Sequence, residues 1–409
     1  MVEAHHILLN LEYRAMPPVF PAIRHIDDVL PALQGHKEFV VSQRNGYVAI
    51  DYTYQLEGSF LPADPTDPAD VAAARLRREC RGIKFDPASG AIIARPYAKF
   101  FNLGENSEVQ PDRIDWTRSH HVLDKLDGSM IAPALVDGGM RWMTRLSDAK
   151  VAASAHAFAM AHPSLPDMAH ALIDDGWTPI FEWCGPSQRI ILDYPDDTLI
   201  LTAVRHRVEG HYLAFAELTD LAATWQVPVV ADLACGLVGD TLVQHIRGLH
   251  GLEGCVIRFG DGTMLKLKAE AYLARHQALA DLASEKRVLR LVLENQEDDV
   301  LPLLAPEPRA ELASFAARIR TALQESVRQV AEAVAAGQAE VGLDRKRFAT
   351  EVVPRLPKVW HFPAFSVASG RDAHEAMRQL VLKNLGSDAD LAFVRPLIGG
   401  HRWRLSGKE

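Results

Sequence analysis

The spacing of apolar residues changes about two thirds of the way along the chain, and this change is the strongest constraint on the fold. Before it, short alternating runs are separated by turn signals. The clearest predicted hairpin covers residues 254–268, with Asp261-Gly262 at its turn. After the change, apolar residues recur at helical spacing, as they do over residues 312–334. We therefore predict an α+β fold, in which an antiparallel-sheet domain over residues 1–275 precedes an all-α domain over residues 276–409.

Periodicity and turn residues also predict the individual elements. A basic cluster over residues 75–85 runs into a strand, after a proline-containing loop at 61–69. Pro308 and Gly337 are expected to mark the start and the end of the long C-terminal helix. Further strands are predicted at residues 47–54, 91–95, 131–136, 140–146, 179–184, 199–205 and 212–215. Further helices are predicted at residues 17–35, 149–161, 165–173 and 373–385.

Composition limits the classes of protein to which the chain can belong. A net charge of −9 argues against a protein that coats nucleic acid through its total charge, so contacts with polyanions must come from local basic patches. The four cysteines lie far apart and form no Cys-x-x-Cys pair, which indicates a reducing, cytoplasmic compartment. The 17 histidines show no metal-ligand spacing. No apolar run approaches the roughly 18 residues that a membrane span needs.

Two lysines on the last predicted strand suggest a binding groove. Lys266 and Lys268 are two residues apart, so both side chains point to one face of the strand while apolar residues cover the other. An edge strand that uses lysines to prevent aggregation is the alternative. In a body of antiparallel sheets, however, this alternation predicts a groove lined with cations. Such a groove with scattered carboxylates suits a nucleoside triphosphate and its magnesium ion.

Charged residues recur in strand and turn contexts, where charge is costly unless it is used. In chain order the stretches are Glu79-Cys80-Arg81-Gly82-Ile83, Arg95-Pro96-x-x-Lys99-Phe100-Phe101-Asn102, Lys125-x-Asp127-Gly128-Ser129, Phe181-Glu182 with Arg189-Ile190, Glu253-Gly254-x-Val256 and Lys266-x-Lys268. This order resembles the covalent nucleotidyltransferase superfamily of ligases and capping enzymes, and within it the bacteriophage T4 RNA ligase 1 family. Arg-Gly-Ile followed by Lys-Phe-Phe-Asn favours this family over DNA ligases. A weaker likeness continues at residues 344–349.

The resemblance implies that Lys125 is the nucleophile. In this family the motif lysine attacks the α-phosphorus of ATP, forms a lysine–AMP phosphoramidate and releases pyrophosphate. A free lysine has a pKa of about 10.4, so only about one in a thousand is neutral at neutral pH. Nearby cations disfavour the ammonium form, and we expect Lys266, Lys268 and a magnesium ion to supply them. An exposed lysine in a surface turn is the alternative for Lys125.

The resemblance also implies ligands for the nucleotide. Lys266 and Lys268 would contact the α-phosphate. Arg81 and Lys99 would bind the triphosphate, although salt bridges to nearby acids are their alternative. Glu182 would bind a ribose hydroxyl, with a salt bridge at the end of its strand as the alternative.

Four further residues receive roles by the same resemblance. Glu253 would position a catalytic metal ion, and Asp127 would bind at the nucleotide site and act in the sealing step, with a salt bridge at the end of a strand as the alternative for each. Tyr52 falls where the family has a tyrosine that contacts the nucleotide, with packing in the core as the alternative. Arg145 matches a position that is lysine in the phage enzyme, so the charge is kept but the hydrogen-bonding geometry is not.

The predicted helical domain carries two more candidates. Asp298 and Asp299 resemble a metal-binding position of the family, although acidic residues also favour the start of a helix. A basic patch could contact RNA, with a solvated helix face as the alternative. Its residues are Arg345, Lys346, Arg347, Arg355 and Lys358.

The activity that the resemblance implies is an RNA ligase that depends on ATP and Mg²⁺, with Mn²⁺ as a substitute. It would join a 3′-hydroxyl to a 5′-phosphate through the lysine–AMP and an adenylylated RNA, in the repair of RNA or tRNA. Its partners would be single-stranded RNA ends or a broken tRNA loop, together with an end-healing kinase/phosphatase. A polynucleotide ligase with a DNA or mixed preference is one alternative, and a non-catalytic RNA-binding relative is another. The helical character after the first domain disfavours the OB-fold that follows in DNA ligases of this superfamily.

Overall fold

The computed structural model describes residues 20–56, 58–145, 149–233 and 235–405. The chain folds into two compact units, which divide between Leu273 and Ala274. The predicted start of the first helix at residues 17–19 and the predicted strand end at Leu146 lie outside the described residues.

Twelve strands lie in the described part of the first unit. They are β1 Phe39–Arg44, β2 Tyr47–Tyr52, β3 Ile83–Phe85, β4 Ile92–Ala94, β5 Phe101–Asn102, β6 His120–Asp124, β7 Ser129–Val136, β8 Gly139–Met143, β9 Trp177–Cys184, β10 Thr198–His206, β11 Gly254–Phe259 and β12 Met264–Lys268. They form three four-stranded sheets with the orders β1-β2-β3-β4 (sheet 1), β10-β9-β7-β8 (sheet 2) and β5-β12-β11-β6 (sheet 3). All neighbours are antiparallel except β12 and β5, which run parallel.

Helices flank the sheets of the first unit and make up the second. They are α1 Pro68–Glu79, α2 Ala149–Ala161, α3 Ser164–Asp174, α4 Phe215–Trp225, α5 Gly239–Arg247, α6 Glu270–Leu282, α7 Glu285–Leu293, α8 Glu297–Val300, α9 Pro306–Val341, α10 Arg345–Arg347 with a π-turn at Phe348–Val352, α11 His361–Ala368, α12 Ala373–Lys383 and α13 Asp388–Val394. Short 3₁₀ turns connect them, at Ile26–Asp28, Leu30–Leu33, Pro111–Arg113, Pro186–Gln188, Leu301–Leu303, Val353–Arg355, Lys358–Trp360 and Arg395–Ile398. None of these described helices combines the length and the hydropathy of a membrane span.

The predicted α+β class and the sheet-then-helix order agree with this architecture. Hydrophobic residues of sheets 1 and 3 share one buried core, which includes Ile50, Phe85 and Ile257. Sheet 2 packs against α2, α3 and α4 in another. The second unit has its own core, built around the long helix α9. The first two of these cores hold sheets 2 and 3 in place.

Two predicted elements were wrong. Residues 212–215 are not a strand, because Tyr212 makes a single isolated bridge to Arg205 and Phe215 begins α4. Helix α1 begins at Pro68, within the stretch predicted as a loop and a basic cluster. The signal for α1 was present, since the Asp67 side chain accepts a hydrogen bond from the Ala69 amide and a proline at the first helical position is favoured.

The first predicted helix is also different in the structure. Over its described part, two short 3₁₀ turns replace one continuous helix, at Ile26–Asp28 and Leu30–Leu33. Pro31 has no amide hydrogen, so it cannot donate the bond that a helix interior requires. The apolar residues of this stretch still face inward, since Ile23 and Val29 are fully buried.

The long C-terminal helix runs past its predicted end. Gly337 lies inside α9, which ends at Val341, and Gly342 follows with a positive φ of 68°. A Cβ at Gly337 would collide with the side chain of Val352. Gly337 is therefore a site of close packing against the π-turn, and not the residue that ends the helix.

A buried ion network joins the end of α1 to sheet 2. Glu79 is 3% exposed, and its carboxylate pairs with two arginines that are both 0% exposed. Arg95 Nε lies 3.0 Å from Glu79 Oε2, and Arg205 Nη2 lies 2.8 Å from Oε1. Burial alone would raise the pKa of Glu79, but the two guanidinium groups hold it below its ordinary value. The carboxylate therefore stays ionised and balances two buried cations.

Replacing this carboxylate should destabilise the fold. We expect Glu79→Gln to lower the free energy of unfolding by about 3–5 kcal/mol, because it leaves two buried guanidinium groups without their counter-charge. Urea denaturation followed by circular dichroism measures the change. The matched control is Glu108→Gln, which removes a half-exposed partner of Arg78 and should cost less than about 1 kcal/mol. Equal losses in the two variants would contradict a role for the buried network.

Candidate active site

A cavity of about 530 Å³ lies between sheets 2 and 3. Its walls come from β7 and β9 on one side and from β6, β11 and β12 on the other. This volume falls in the range of small-molecule sites. Six of the predicted site residues line this first cavity, namely Arg81, Lys125, Arg145, Glu182, Lys266 and Lys268.

Strand register gathers three charges at one end of sheet 3. Asp124 at the end of β6 pairs with Cys255 of β11, and Gly254 pairs with Lys268 of β12. Lys125 and Glu253 are the next residues at that end. Gly254 permits the close approach of the strands, because it has a φ of +145° and a Cβ there would collide with the Leu267 carbonyl oxygen.

Glu253 bridges two lysines across this end of the sheet. Its Oε2 lies 2.7 Å from Lys125 Nζ, and its Oε1 lies 2.8 Å from Lys268 Nζ. The Glu253 side chain is only 5% exposed, so solvent screens these charges weakly. From the resemblance, mainly cations were expected around Lys125. In the structure the group bonded to the amine is a carboxylate, which holds Lys125 at the cavity wall.

Lys266 is the most perturbed cation of the cavity. Its ammonium group lies 4.5 Å from the centre of the Phe100 ring. Burial lowers the pKa of Lys266 to about 7, and repulsion from Arg81, Lys99 and Lys125 contributes to this shift. Near neutral pH this lysine therefore gains or loses a proton readily, and a bound anion would favour its charged form.

Two carboxyl groups complete the lining. Glu182 lies on β9 opposite Met130 of β7. Burial raises the pKa of Glu182 to about 7; Glu253 adds to this rise and Lys125 opposes it. Burial also raises the pKa of Asp124, which Lys125 again opposes. The cavity therefore carries more positive than negative charge at neutral pH, which suits a polyphosphate.

Two of the three arginines that line the cavity, Arg145 and Arg81, are held differently. Arg145 Nε lies 3.0 Å from Asp51 Oδ2, and its guanidinium carbon lies 4.7 Å from the centre of the Tyr52 ring. Tyr52 packs edge-on against Phe60, so its ring belongs to the wall beneath Arg145 and does not line the cavity. Arg81 makes no ion pair among the described residues. The salt bridge that was the alternative for Arg81 is therefore not found in this part of the chain. The charge of Arg81 remains available in the cavity.

Lys99 is not brought to the first cavity. Its ammonium group lies 2.8 Å from Gln55 Oε1 and 3.4 Å from Glu105 Oε1, and it lines a neighbouring cavity. The salt bridge considered as its alternative is therefore present. Lys99 still acts on the first cavity at a distance, because its charge contributes to the lowered pKa of Lys266.

Asp127 is buried behind the cavity wall. Its carboxylate accepts hydrogen bonds of 2.7 Å from the Ile191 and Leu192 amides and from the Tyr272 hydroxyl. Its own amide donates to the Tyr194 hydroxyl at 2.9 Å. These bonds fix the turn that follows Lys125. Asp127 therefore supports that turn.

The acidic pair Asp298 and Asp299 lies in α8 of the second unit, whereas the first cavity is lined by residues of the first unit. Their neighbour Glu297 is buried and pairs with Arg320. In the described residues, no group of three acidic, His or Cys side chains could hold a metal ion by itself. Mg²⁺ commonly takes one or two carboxylates together with substrate phosphates. Glu182 lies in the cavity lining, whereas both carboxylate oxygens of Glu253 are bonded to lysines.

Several residues at the site were missed from the sequence. Asp124 was visible as the neighbour of Lys125, but its place in the lining depends on the register of β6. Tyr272 and Tyr194 hold Asp127 from 145 and 67 residues away in the chain, and no local pattern indicates such a contact.

Comparison with known proteins gives consistent matches. A family model described as RNA ligase, of the T4 RNA ligase 1 type, matches residues 79–272. A candidate RNA ligase of Thermovibrio ammonificans is 27% identical over 317 residues, which is 75% of this chain and 79% of that protein. RNA ligase 1 of bacteriophage TS2126 is 27% identical over 345 residues, which is 79% of this chain and 84% of that protein.

A solved structure of Naegleria gruberi RNA ligase with AMP and manganese is similar at 18% identity and a TM-score of 0.37. The likeness spans 44% of this chain and 58% of that one. The matched family region extends from the end of α1 to Tyr272 and contains the whole lining of the first cavity. Through this region the chain is similar to the T4 RNA ligase 1 family of RNA ligases.

Proposed function

We propose that this chain is an ATP-dependent RNA ligase that joins a 3′-hydroxyl to a 5′-phosphate. The observation that carries the proposal is the charge arrangement around Lys125. This lysine, bonded to Glu253 and close to Lys268, lines a 530 Å³ cavity with Lys266, within the region that matches the RNA ligase family model. A lysine at a cationic cavity wall is suited to nucleophilic attack on a phosphorus atom.

In the first step Lys125 Nζ attacks the α-phosphorus of ATP. A P–N bond forms, the bond between the α-phosphorus and the bridging oxygen breaks, and pyrophosphate leaves while the amine loses a proton. Lys266 and Lys268 neutralise charge on the α-phosphate, and Arg81 and Arg145 bind the remaining phosphates. Such in-line transfer depends mainly on positioning and charge neutralisation, which these side chains supply.

The carboxylates have separate tasks in this proposal. Glu182 accepts a ribose hydroxyl, and Asp127 holds the turn that presents Lys125. Glu253 holds Lys125 until the phosphates arrive, and with Glu182 it would hold a magnesium ion, for which manganese can substitute. The ion would neutralise developing charge on the phosphate oxygens. Tyr52 supports Arg145, and Lys99 tunes Lys266 from the neighbouring cavity.

The later steps transfer AMP to RNA. The 5′-phosphate of an RNA end attacks the lysine–AMP phosphorus, giving an adenylylated RNA and free Lys125. A 3′-hydroxyl then attacks that 5′-phosphate, so a phosphodiester forms and AMP leaves. The substrates we propose are single-stranded ends or a broken tRNA loop in RNA repair, prepared by an end-healing kinase/phosphatase.

Two proposals concern the whole chain. We propose that the helical unit over residues 276–409, Asp298 and Asp299 included, contributes to the choice of RNA. Of its basic residues, Arg347 and Arg355 pair with Glu351 and Glu340, which leaves Arg345, Lys346 and Lys358 as the better candidates for RNA contact. A cytoplasmic location suits the four unpaired cysteines.

The first prediction concerns the covalent intermediate. With ATP labelled at the α-phosphate and Mg²⁺, label should stay on the denatured wild-type chain and be absent from Lys125→Ala, because the P–N bond requires that amine. Lys37→Ala, which removes an exposed lysine elsewhere in the first unit, should label like wild type. A wild-type chain that takes no label would favour the non-catalytic RNA-binding alternative.

The second prediction concerns pH. Lys266 has a pKa of about 7 in the free protein, and bound phosphates raise it. Its contribution to binding is therefore complete below pH 7 and is lost as the pH rises through the bound-state pKa. The measurement uses an ATP analogue in which a methylene group replaces the oxygen between the α- and β-phosphates, so that it cannot react. Its affinity should fall by up to about tenfold per pH unit above 7.

Two variants separate the groups that titrate in this range. Lys266→Arg should remove the fall that is due to Lys266, because arginine stays charged throughout. Glu182→Gln should remove any part of the fall in affinity that comes from ionisation of Glu182, whose pKa also lies at about 7. An unchanged slope in Lys266→Arg, measured by titration calorimetry from pH 6 to 9, would show that Lys266 is not the titrating group.

The third prediction concerns the polymer. With single strands of matched sequence, ends of RNA should be joined faster than ends of DNA by at least about tenfold in kcat/KM, a difference of about 1.4 kcal/mol. Gel analysis of end-labelled strands gives the rates. Equal rates on both polymers would support the alternative of a polynucleotide ligase with a DNA or mixed preference.

A further inference from the structure

A second cavity, of about 400 Å³, lies on the opposite face of sheet 3 from the first. Strand alternation establishes this placement. Asn102 and Lys266 line the first cavity, whereas their chain neighbours Phe101 and Leu265 line the second. Because successive side chains of a strand point to opposite faces, the two cavities use opposite sides of β5 and β12.

The second cavity is rich in cations. Its lining contains five basic side chains, namely Arg75, Arg78, Lys99, Arg113 and Arg118. Of its three acids, Glu79 is balanced by the buried arginines and Glu108 by Arg78. The third, Asp115, accepts hydrogen bonds from Thr117. Arg118 and Lys99 pair with Asp261 and Glu105 outside the lining, so among the described residues the unpaired positive charge of this cavity is that of Arg75 and Arg113.

Arg75 and Arg113 are the most available of these cations. Both are exposed, and neither side chain makes an ion pair or a hydrogen bond within the described residues. Arg75 projects from α1 and Arg113 from the 3₁₀ turn Pro111–Arg113, so two separate elements direct free cations to one cavity. A structural salt bridge therefore does not account for either of them.

Aromatic rings alternate with these cations. Phe100 and Tyr212 line the second cavity and are partly exposed, so each presents part of its ring to a ligand there. Deeper in the wall, Arg118 lies 4.4 Å from the centre of the Phe259 ring and Arg78 lies 5.5 Å from that of Phe101. Basic side chains that follow a phosphate backbone, with rings on which bases stack, are the combination that binds single-stranded nucleic acid.

We propose that the second cavity binds the phosphates and bases of a single-stranded RNA end next to the nucleotide that reacts in the first cavity. The proposal rests on the proposed function. Phe100 and Met264 line both cavities, so a strand passing the β5 edge of sheet 3 reaches from one to the other. β5 is only two residues long, so the edge of sheet 3 that separates the two cavities is short. An RNA strand can therefore pass around this edge.

The test uses the full chain with Arg75→Ala and Arg113→Ala combined. Binding of a 5′-phosphorylated single-stranded RNA, without ATP or metal, should weaken about tenfold at low salt, as followed by fluorescence anisotropy. The slope of log affinity against log salt should become shallower by about 1.4, since each lost contact to a single strand removes about 0.7. In ligation, KM for RNA should rise while kcat changes little.

Control variants test whether the effect is local. Arg44→Ala and Arg247→Ala combined removes two exposed arginines of the same unit that line neither cavity, and it should leave the affinity and the salt slope unchanged. The thermal unfolding midpoint and the rate of Lys125 labelling should match wild type in both double variants, because neither removes a first-cavity residue.

The outcomes separate this inference from the function on which it rests. If Arg75→Ala/Arg113→Ala labels and ligates like wild type with an unchanged KM for RNA, the inference is overturned and the proposed function is not affected. A raised KM for ATP, or slower pyrophosphate exchange, in that variant would assign the cavity to the nucleotide and also overturn it. A wild-type chain that neither labels nor ligates would overturn the proposed function and the inference together.

Discussion

The bridge that Glu253 makes between Lys125 and Lys268 is the interaction on which the rest of the site depends. It forms because the register of β6, β11 and β12 brings the three residues to one end of sheet 3. Two ammonium groups at this spacing would repel each other, and a shared, nearly buried carboxylate makes their proximity stable. The same carboxylate restrains Lys125, so in the proposed reaction binding of phosphates would compete with it. Substrate binding and activation of Lys125 would then be coupled through one residue.

Buried contacts outside the cavity lining support the positions of Lys125, Glu253 and Lys268. Asp127 uses both of its carboxylate oxygens to fix the turn after Lys125, so the rigidity of the turn depends on Tyr272 and on the loop that contains Ile191 and Leu192. Further away, Glu79 holds two buried arginines and ties α1 to sheet 2. Both networks use charge where solvent cannot weaken it, so the positions of the sheets around the cavity are set by specific partners as well as by apolar packing.

The sequence revealed those features that depend on local periodicity. The alternation around Lys266 and Lys268 predicted a lysine face, and both residues line one cavity. The Asp261-Gly262 turn predicted the hairpin of β11 and β12. Contacts between distant parts of the chain leave no such pattern in the sequence. The hydrogen bonds that join Asp127 to Tyr272 and to Tyr194 are an example. Gly337 was misread for a related reason: a glycine that ends a helix and one that admits a neighbouring side chain look the same in sequence, and only Val352 distinguishes them.

Sheet 3 shows how one short stretch of chain can serve two binding surfaces. Alternate residues of β5 and β12 face opposite cavities, so the strand that presents Lys266 to the first cavity also forms the floor of the cationic second cavity. A ligase must hold a small nucleotide firmly and a long polymer loosely enough to release it. Buried, pKa-shifted Lys266 suits the first requirement, because its charge responds to a bound phosphate. Exposed arginines suit the second, because their attraction is screened by salt and exchanges readily with counterions. The division of buried and exposed cations between the two faces therefore follows from the different lifetimes that the two ligands require.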